Sequence, residues 1–306
     1  MYFFLVTNNT VYIIYYSDLM ISIHLMGGLG NQLFQLFTAL SYSKRYNKPL
    51  FISMKKNDIV SPIDNISPRP TYWKSFLSNF KQYIIIDNAE LSKHINVAFK
   101  DGEIYEEIPY TQKNIILIGY FQSYKYFEDI RNELPALLQL NHYKNIVIQK
   151  YSFSNKIYIS LHFRIGDYKQ AGQDNHPILP LKYYIDSIQF IISRLQISSS
   201  KKVCILCFGE KSDLWYIQNQ ITFLSVNFPQ IYFEYCQTTS PLTDYEELVL
   251  MSCCNHNIIA NSTFSWWAAY LNTHFGHITT YPSIWFGKNI KKDVTDMFPT
   301  EWNCIS

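Results

Sequence analysis

Residues 243–271, TDYEELVLMSCCNHNIIANSTFSWWAAYL, predict a helix, a buried strand, a tight turn and a second helix in immediate succession. Thr243 and Glu246 have the spacing of a capping box, which places the start of the first helix at Thr243. The apolar run 257–260 is typical of a strand buried in a parallel sheet. A polar turn between such a strand and a following helix is characteristic of α/β folds.

The polar turn after this strand supports two interpretations. Any of Asn261, Ser262 and Thr263 could cap the helix that starts near Phe264. Together with Ser265, they also surround a helix N-terminus at the end of a strand, where free N–H groups and the positive end of the helix dipole suit a phosphate. From the residues alone, a plain helix cap and an anion site both remain open.

Composition indicates a folded protein and disfavours several partners. The chain has 306 residues, of which 48% are hydrophobic and 16% charged, so it can bury a substantial core. Its net charge is only +2 and no long run of lysine or arginine occurs, which argues against nucleic acid as a partner.

The cysteines and the first residues bear on location. Cys204 and Cys207 have C-x-x-C spacing but lie in an apolar strand, and no second pair at zinc-like spacing follows. We interpret all six cysteines as reduced thiols, which favours a cytoplasmic protein. The apolar residues 1–16 are interrupted by Asn8, Asn9 and Thr10, so we expect no membrane span, and peripheral membrane association is left open.

Strands alternate with helices along the chain, which predicts an α/β fold with two Rossmann-like domains. We place the N-terminal domain at 20–150 and the C-terminal domain at 151–306. Residues 1–19 precede a strand that begins at Met20. They are an N-terminal extension of uncertain status, or the protein itself starts at Met20. The main predicted elements are strands 20–26, 83–86, 115–118, 156–164, 202–208 and 231–235, and helices 31–46, 124–140, 181–195 and 212–227.

The strand 156–164 carries a second group of candidate residues. Its alternation places Ile159, Leu161 and Phe163 on one face, and His162 and Arg164 on the other. His162 and Arg164 therefore project near the carboxyl end of the strand, where α/β sheets bind ligands. The paired donors of an arginine suit a diphosphate, and Asp167 in the following turn could orient Arg164. A purely structural Arg–Asp pair is the alternative.

The turn GGLGNQ at 27–32 resembles a dinucleotide fingerprint only in part. Gly28 and Gly30 fit G-x-G, but Leu33 occupies the third glycine position and no acidic residue ends the next strand, so a nicotinamide dehydrogenase is disfavoured. The glycines still allow a ligand to approach the backbone closely, and Asn31 and Gln32 bring amide donors there.

These three segments, in this order, resemble glycosyltransferase family 11, the α-1,2-fucosyltransferases. The main motifs are GGLGNQLFQ at 27–35, HFRIGDY at 162–168 and NSTFSWW at 261–267. GYFQS at 119–123, Tyr126-Phe127 and YPSIWF at 281–286 are also similar to the family pattern. The resemblance runs from about Met20 to Trp302.

The resemblance implies a GT-B-type fold, with two Rossmann-like domains facing across a cleft and GDP-fucose bound mainly by the C-terminal one. It implies inverting transfer of L-fucose to the 2-hydroxyl of a β-galactoside, with a galactose-terminated glycan as acceptor. No metal and no other cofactor is expected, and the sequence has no Asp-x-Asp motif to hold a divalent cation. Arg164 and helix N-terminal amides would then neutralise the leaving diphosphate.

We expect the donor to contact residues of all three motifs, and their roles are open in part. The expected contacts are Gly28, Gly30, Asn31, Arg164, Asn261, Ser262, Thr263 and Ser265. His162 and Asp167 are candidates for the catalytic base, and Asp174 and His176 are weaker ones.

One residue departs from the family pattern. The family usually has a second arginine after Arg164, and here that residue is Ile165. Activity with altered donor binding, fucose transfer to a protein serine or threonine, and a nucleotide-sugar-binding protein that no longer transfers are the alternatives.

Overall fold

The computed structural model divides the chain into two compact units. It describes residues 2–7, 10–15, 19–53, 70–85, 94–195 and 201–306. The first unit is Met1–Gln139 with Lys292–Phe298, and the second is Leu140–Lys291 with Pro299–Ser306.

The first unit contains an antiparallel hairpin and a five-stranded parallel sheet. The hairpin, in the predicted extension, pairs β1 (Tyr2–Thr7) with β2 (Thr10–Tyr15). The sheet contains β3 (Ile21–His24), β4 (Leu50–Ser53), β5 (Ile84–Ile85), β6 (Val97–Lys100) and β7 (Ile115–Ile118). Its order is β5-β4-β3-β7-β6, with every neighbouring pair parallel. From β3 the chain moves outward through β4 and β5, and it then continues on the other side of β3 as β6 and β7, so the carboxyl ends of β3 and β7 form the topological switch point.

Helix α1 (Leu29–Arg45) packs on this sheet with a face that the apolar spacing predicts. Leu33, Leu36, Phe37 and Leu40 are all buried. The Phe37 ring lies 5.6 Å from that of Phe80 and 6.1 Å from that of Phe127, centroid to centroid. Lys44 and Arg45 in its last turn complement the negative end of the helix dipole.

The helix predicted at 124–140 is wrong. The chain forms 3-10 turns at Tyr124–Tyr126 and Glu128–Glu133, and then one short helix, α2 (Leu134–Leu137). Pro135 explains the break, because proline is tolerated only in the first turn of a helix and therefore fixes the helix start beside it. Gln139, with φ of 51°, separates α2 from the next helix.

The second unit is built on a six-stranded parallel sheet. Its strands are β8 (Lys156–His162), β9 (Lys202–Phe208), β10 (Tyr232–Tyr235), β11 (His256–Ile258), β12 (Thr279–Pro282) and β13 (Asn303–Ile305). The order is β10-β9-β8-β11-β12-β13, and all pairs are parallel. From β8 the chain moves outward through β9 and β10, and it then returns to the other side of β8 as β11. The switch point of this sheet therefore lies between β8 and β11.

The first helix described in this unit precedes β8, and the others connect its strands. They are α3 (Leu140–Lys150), α4 (Tyr168–Ala171), α5 (Leu181–Arg194), α6 (Leu214–Asn227), α7 (Asp244–Ser252) and α8 (Thr263–Tyr270). The predicted capping box is confirmed, because the Thr243 N–H donates to the Glu246 carboxylate at 2.8 Å. Trp266 and Trp267 of α8 are fully buried.

The α/β class with two Rossmann-like units is confirmed. The division falls at Leu140 rather than at the predicted 150/151, because α3 packs within the second unit. Lys150 pairs with Glu246 at 2.7 Å, and the Tyr143 ring lies 5.4 Å from that of Tyr245. No helix in the part of the chain that the structure describes is long and apolar enough to cross a membrane.

Candidate active site

The switch point of the second sheet brings two predicted motifs together. β8 pairs directly with β11, with Leu161 beside Ile258, so the residues that follow both strands lie at one edge. The Tyr168 hydroxyl, at the start of α4 just after β8, donates to the backbone oxygen of Asn261, in the turn after β11, at 2.7 Å. The HFRIGDY and NSTFSWW motifs are therefore one structural cluster.

Arg164 lies at this edge with a guanidinium that is held on two sides. Nη2 donates to Asp167 Oδ1 at 2.5 Å, and Nη1 donates to Glu210 Oε1 at 2.5 Å. The guanidinium carbon lies 5.3 Å from the centroid of the Tyr168 ring, a cation–π distance. The side chain is 20% exposed, so it is fixed by its neighbours while part of it still reaches solvent.

Glu210 is absent from the residues that the sequence motifs predict. It follows Gly209 directly after β9, and β9 is the neighbour of β8 on the side away from β11. Its position just past the end of a predicted strand was the only sequence signal, since the adjacency of β9 and β8 is known only from the structure. The Glu210 carboxylate also lies close to Gly166. A Cβ added at Gly166 would be 2.6 Å from the two carboxylate oxygens.

His162 is the most deeply buried of the candidate bases. It is 5% exposed, and its Nδ1 has no hydrogen-bond partner in the described residues. Burial, with a smaller effect of the Arg164 charge, lowers the pKa of His162 to about 3 from its ordinary 6.5. The imidazole is therefore neutral at physiological pH, and a proton there is disfavoured.

Acid should destabilise the protein partly through His162. Below pH 6.5 the unfolded chain binds a proton at the His162 side chain, whereas in the folded protein this side chain stays unprotonated until about pH 3. The stabilisation is thus present above pH 6.5 and lost as the pH falls towards 3. From pH 7 to pH 5 we expect His162 to account for a loss of about 2 kcal/mol in the free energy of unfolding.

Urea unfolding at pH 7 and pH 5 tests this prediction. The His162→Gln variant should lose less stability between the two pH values than the wild type, whatever its absolute stability. The exposed His142→Gln serves as the control and should keep the wild-type pH dependence. Equal pH dependence in wild type and His162→Gln would contradict the prediction.

The turn after β11 is held by its own side chains. Ser262 caps α8 by accepting from the Phe264 N–H at 3.4 Å, which confirms the predicted cap. Ser265 Oγ accepts from the Ala260 N–H at 3.2 Å. Asn261 Nδ2 donates to the backbone oxygens of Pro177 and Trp285 at 2.8 and 3.2 Å.

These bonds leave only part of the turn available to a ligand. The Asn261 Oδ1 is buried and has no hydrogen-bond partner in the described residues, and Thr263 is the partly exposed first residue of α8. The donor contacts expected of Asn261, Ser262, Thr263 and Ser265 stay a prediction.

The weaker base candidates lie in the loop after α4. The His176 ring stacks on Tyr168 at 4.9 Å between centroids and lies 5.8 Å from Phe286. Asp174 is 56% exposed and pairs with Lys288 at 3.1 Å. His176 therefore adjoins the Arg164 cluster through Tyr168, whereas Asp174 faces solvent.

The glycine turn belongs to the first unit, at the switch point between β3 and β7. Gly27 has φ of 79°, and a Cβ there would lie 2.7 Å from Asn31 Nδ2. Gly28 precedes α1 without a side-chain cap, and Gly30 is buried in its first turn. Asn31 Oδ1 accepts from Gln122 Nε2 at 2.9 Å, which joins the turn to the GYFQS segment after β7. The donor contacts expected of Gly28, Gly30 and Asn31 stay a prediction.

Comparison with known proteins agrees with the resemblance of the motifs. The sequence model of glycosyl transferase family 11 matches residues 4–306. Across 84% of the chain and 74% of the relative, the identity with the O-antigen biosynthesis glycosyltransferase WbnK of Escherichia coli is 27%. The alpha-1,2-colitosyltransferase of Escherichia coli is 25% identical over 91% of the chain and 96% of that protein. The galactoside 2-alpha-L-fucosyltransferase of Caenorhabditis elegans is 25% identical over 90% and 74%.

Proposed function

The chain belongs to glycosyl transferase family 11, and on that basis we propose that it is an inverting galactoside 2-α-L-fucosyltransferase. The donor is GDP-fucose and the acceptor is a galactose-terminated glycan. The observation that carries the proposal is the position of Arg164, a fixed and partly exposed guanidinium at the switch point between β8 and β11. Ligands of α/β sheets bind at such points, and a guanidinium fork suits a diphosphate.

Arg164 would act on the leaving group. As the bond between fucose C1 and the diphosphate oxygen breaks, its electron pair stays on GDP, and the guanidinium stabilises the charge that develops there. Asp167 keeps the guanidinium in place through its 2.5 Å contact with Nη2. The start of α8 lies at the same edge and adds N–H groups and the positive end of a helix dipole.

The acceptor oxygen attacks C1 from the face opposite to GDP, which inverts the anomeric centre. We propose a dissociative path, in which the bond from C1 to GDP breaks first and the hydroxyl proton passes late to solvent water. Two observations on the base candidates favour it. Protonation of His162 is disfavoured, because its pKa is about 3. Asp167 is already engaged by Arg164. Neither side chain is thus poised as a strong general base near pH 7.

We propose that the reaction needs no metal ion. The sequence contains no Asp-x-Asp motif, the carboxylate pair that would bridge a divalent cation and a diphosphate. Arg164 and the α8 start would supply the positive charge instead.

GDP release from GDP-fucose in EDTA, with and without lactose or N-acetyllactosamine, tests the proposal. We expect release that depends on the galactoside and that survives EDTA, with the product carrying fucose on the galactose 2-hydroxyl by NMR. Loss of activity in EDTA that Mg²⁺ or Mn²⁺ restores would overturn metal independence. Binding of GDP without release on any galactoside would favour the nucleotide-sugar-binding alternative.

A colitosyl donor is the second candidate, because a relative aligned over 96% of its own length is named an alpha-1,2-colitosyltransferase. GDP-colitose and GDP-fucose in the same release experiment distinguish the two, and the donor with the higher kcat/KM is the substrate. A serine- or threonine-containing protein acceptor is the third arm of this experiment.

We also propose a cytoplasmic location, which the six free cysteines favour.

A further inference from the structure

Asp213 uses its carboxylate in an unusual way for its position. It lies at the N-terminal end of α6, where an aspartate ordinarily caps its own helix, yet it makes no such cap. Its Oδ2 accepts from the Gly166 N–H at 2.8 Å, and its Oδ1 accepts from Lys169 Nζ at 2.5 Å. Gly166 lies in the turn after β8 and Lys169 in α4, so the carboxylate joins the β9–α6 connection to the Arg164 turn and to the helix that follows it.

The Asp213 carboxylate is buried, so its contacts with Gly166 and Lys169 are needed to satisfy it. The Asp213 side chain is 4% exposed, and a buried carboxylate is tolerated only when hydrogen bonds and charge satisfy it. Here both of its oxygens are satisfied. Glu210, which contacts the same turn, is 48% exposed, so its ion pair with Arg164 is more strongly screened by water. Asp213 therefore attaches the Arg164 turn to the β9–α6 connection through a buried contact, whereas the contact of Glu210 with the same turn is exposed.

Hydrogen bonds hold the Arg164 turn on either side of Gly166. Gly166 stands between Arg164 and Asp167, the two members of the ion pair. The Phe163 N–H also donates to the backbone oxygen of Phe208 at 2.8 Å. A shift of the Gly166 amide would therefore move Arg164 and Asp167 relative to each other.

We propose that Asp213 is a positioning residue of the donor site, which acts through the Gly166 amide to hold Arg164 in the orientation that binds a nucleoside diphosphate. The proposal rests on the function proposed above for Arg164. Lys169 neutralises the buried carboxylate and completes the attachment.

The first test compares Asp213→Ala, Asp213→Asn and a control, Asp186→Asn, which removes one member of an ion pair with Lys182 on α5. Asp213→Ala should raise the donor KM and the Kd for GDP about tenfold, because the loss of a buried charged hydrogen-bond partner is of that order. The value of kcat at saturating donor should fall as well, because Arg164 stabilises the leaving diphosphate in the transition state, and the acceptor KM should not change. Asp213→Asn keeps an oxygen for the Gly166 N–H and should recover most of the donor affinity.

A purely structural role would lower the melting temperature and the active fraction while leaving the donor KM of the folded molecules unchanged. That result would overturn the proposal, and so would a donor KM of Asp213→Asn no better than that of Asp213→Ala. The Asp186→Asn control should match the wild type in all kinetic constants.

Hydrogen exchange of residues 163–171 gives a readout that does not depend on activity. The Gly166 amide should exchange faster in Asp213→Ala and Asp213→Asn should be intermediate, whereas Asp186→Asn should match the wild type. If wild type binds no GDP but this pattern holds, the proposed donor is wrong and the attachment of the turn stands. If exchange is unchanged in Asp213→Ala, the positioning role is wrong whatever the donor.

Discussion

Replacing Arg164 by lysine is expected to lower kcat/KM for GDP-fucose by about 10²- to 10³-fold. The guanidinium donates to Asp167 with Nη2 and to Glu210 with Nη1, both at 2.5 Å. A lysine ammonium is a single point charge on a flexible stem, so it cannot keep both contacts and also present paired donors to a diphosphate. Most of the loss should appear in kcat, because the charge on the leaving oxygen is greatest in the transition state.

Steady-state GDP release at varied donor concentration measures the change in kcat and KM. Titration calorimetry with GDP measures how much of the loss arises from weaker binding in the ground state. Arg194→Lys is the matched control, since Arg194 is an exposed arginine at the end of α5 whose contacts are with Phe190 and Ser193. That variant should keep wild-type kinetics. If Arg164→Lys stayed within about threefold of the wild type, Arg164 would not be the group that stabilises the leaving diphosphate.

The parts of the second unit that the sequence predicts well depend on local signals. The capping box at Thr243 and Glu246 and the cap at Ser262 are contacts within one turn of chain, so their spacing determines them. The alternation predicted for 156–164 also holds, although β8 ends at His162, because Leu161 and Phe163 lie in the core while Arg164 reaches the edge of the sheet. The pattern of side chains along this strand was therefore enough to single out Arg164.

The contacts that complete the site could not be predicted in the same way. Glu210 and Asp213 meet the Arg164 turn only because β9 is the neighbour of β8, and strand order is a non-local property. The N-terminal position of Asp213 on α6 even predicts a different role, the capping of its own helix, which it does not perform. The spacing of residues along the sequence does not tell which buried group forms hydrogen bonds with such a carboxylate.

Ile165 stands where the family usually has a second arginine, and Ile165→Arg is expected to destabilise the protein rather than to improve donor binding. Ile165 is 2% exposed and belongs to the buried core of the second unit, together with Phe163 and Leu179. An arginine there would place an unpaired charge among apolar side chains, at a cost of about 3–5 kcal/mol. We expect a melting temperature lower by roughly 10 °C and no gain in affinity for GDP.

Thermal unfolding and GDP titration of Ile165→Arg test this prediction, with Ile148→Arg as the control because Ile148 is 44% exposed on α3. The control should melt close to the wild type. A stable Ile165→Arg protein that binds GDP more tightly would show that this side chain can reach the donor, and it would make the isoleucine a lost donor contact. The buried position instead argues that Ile165 is a core residue of the second unit, and this disfavours the interpretation that the chain has lost transfer activity at this position.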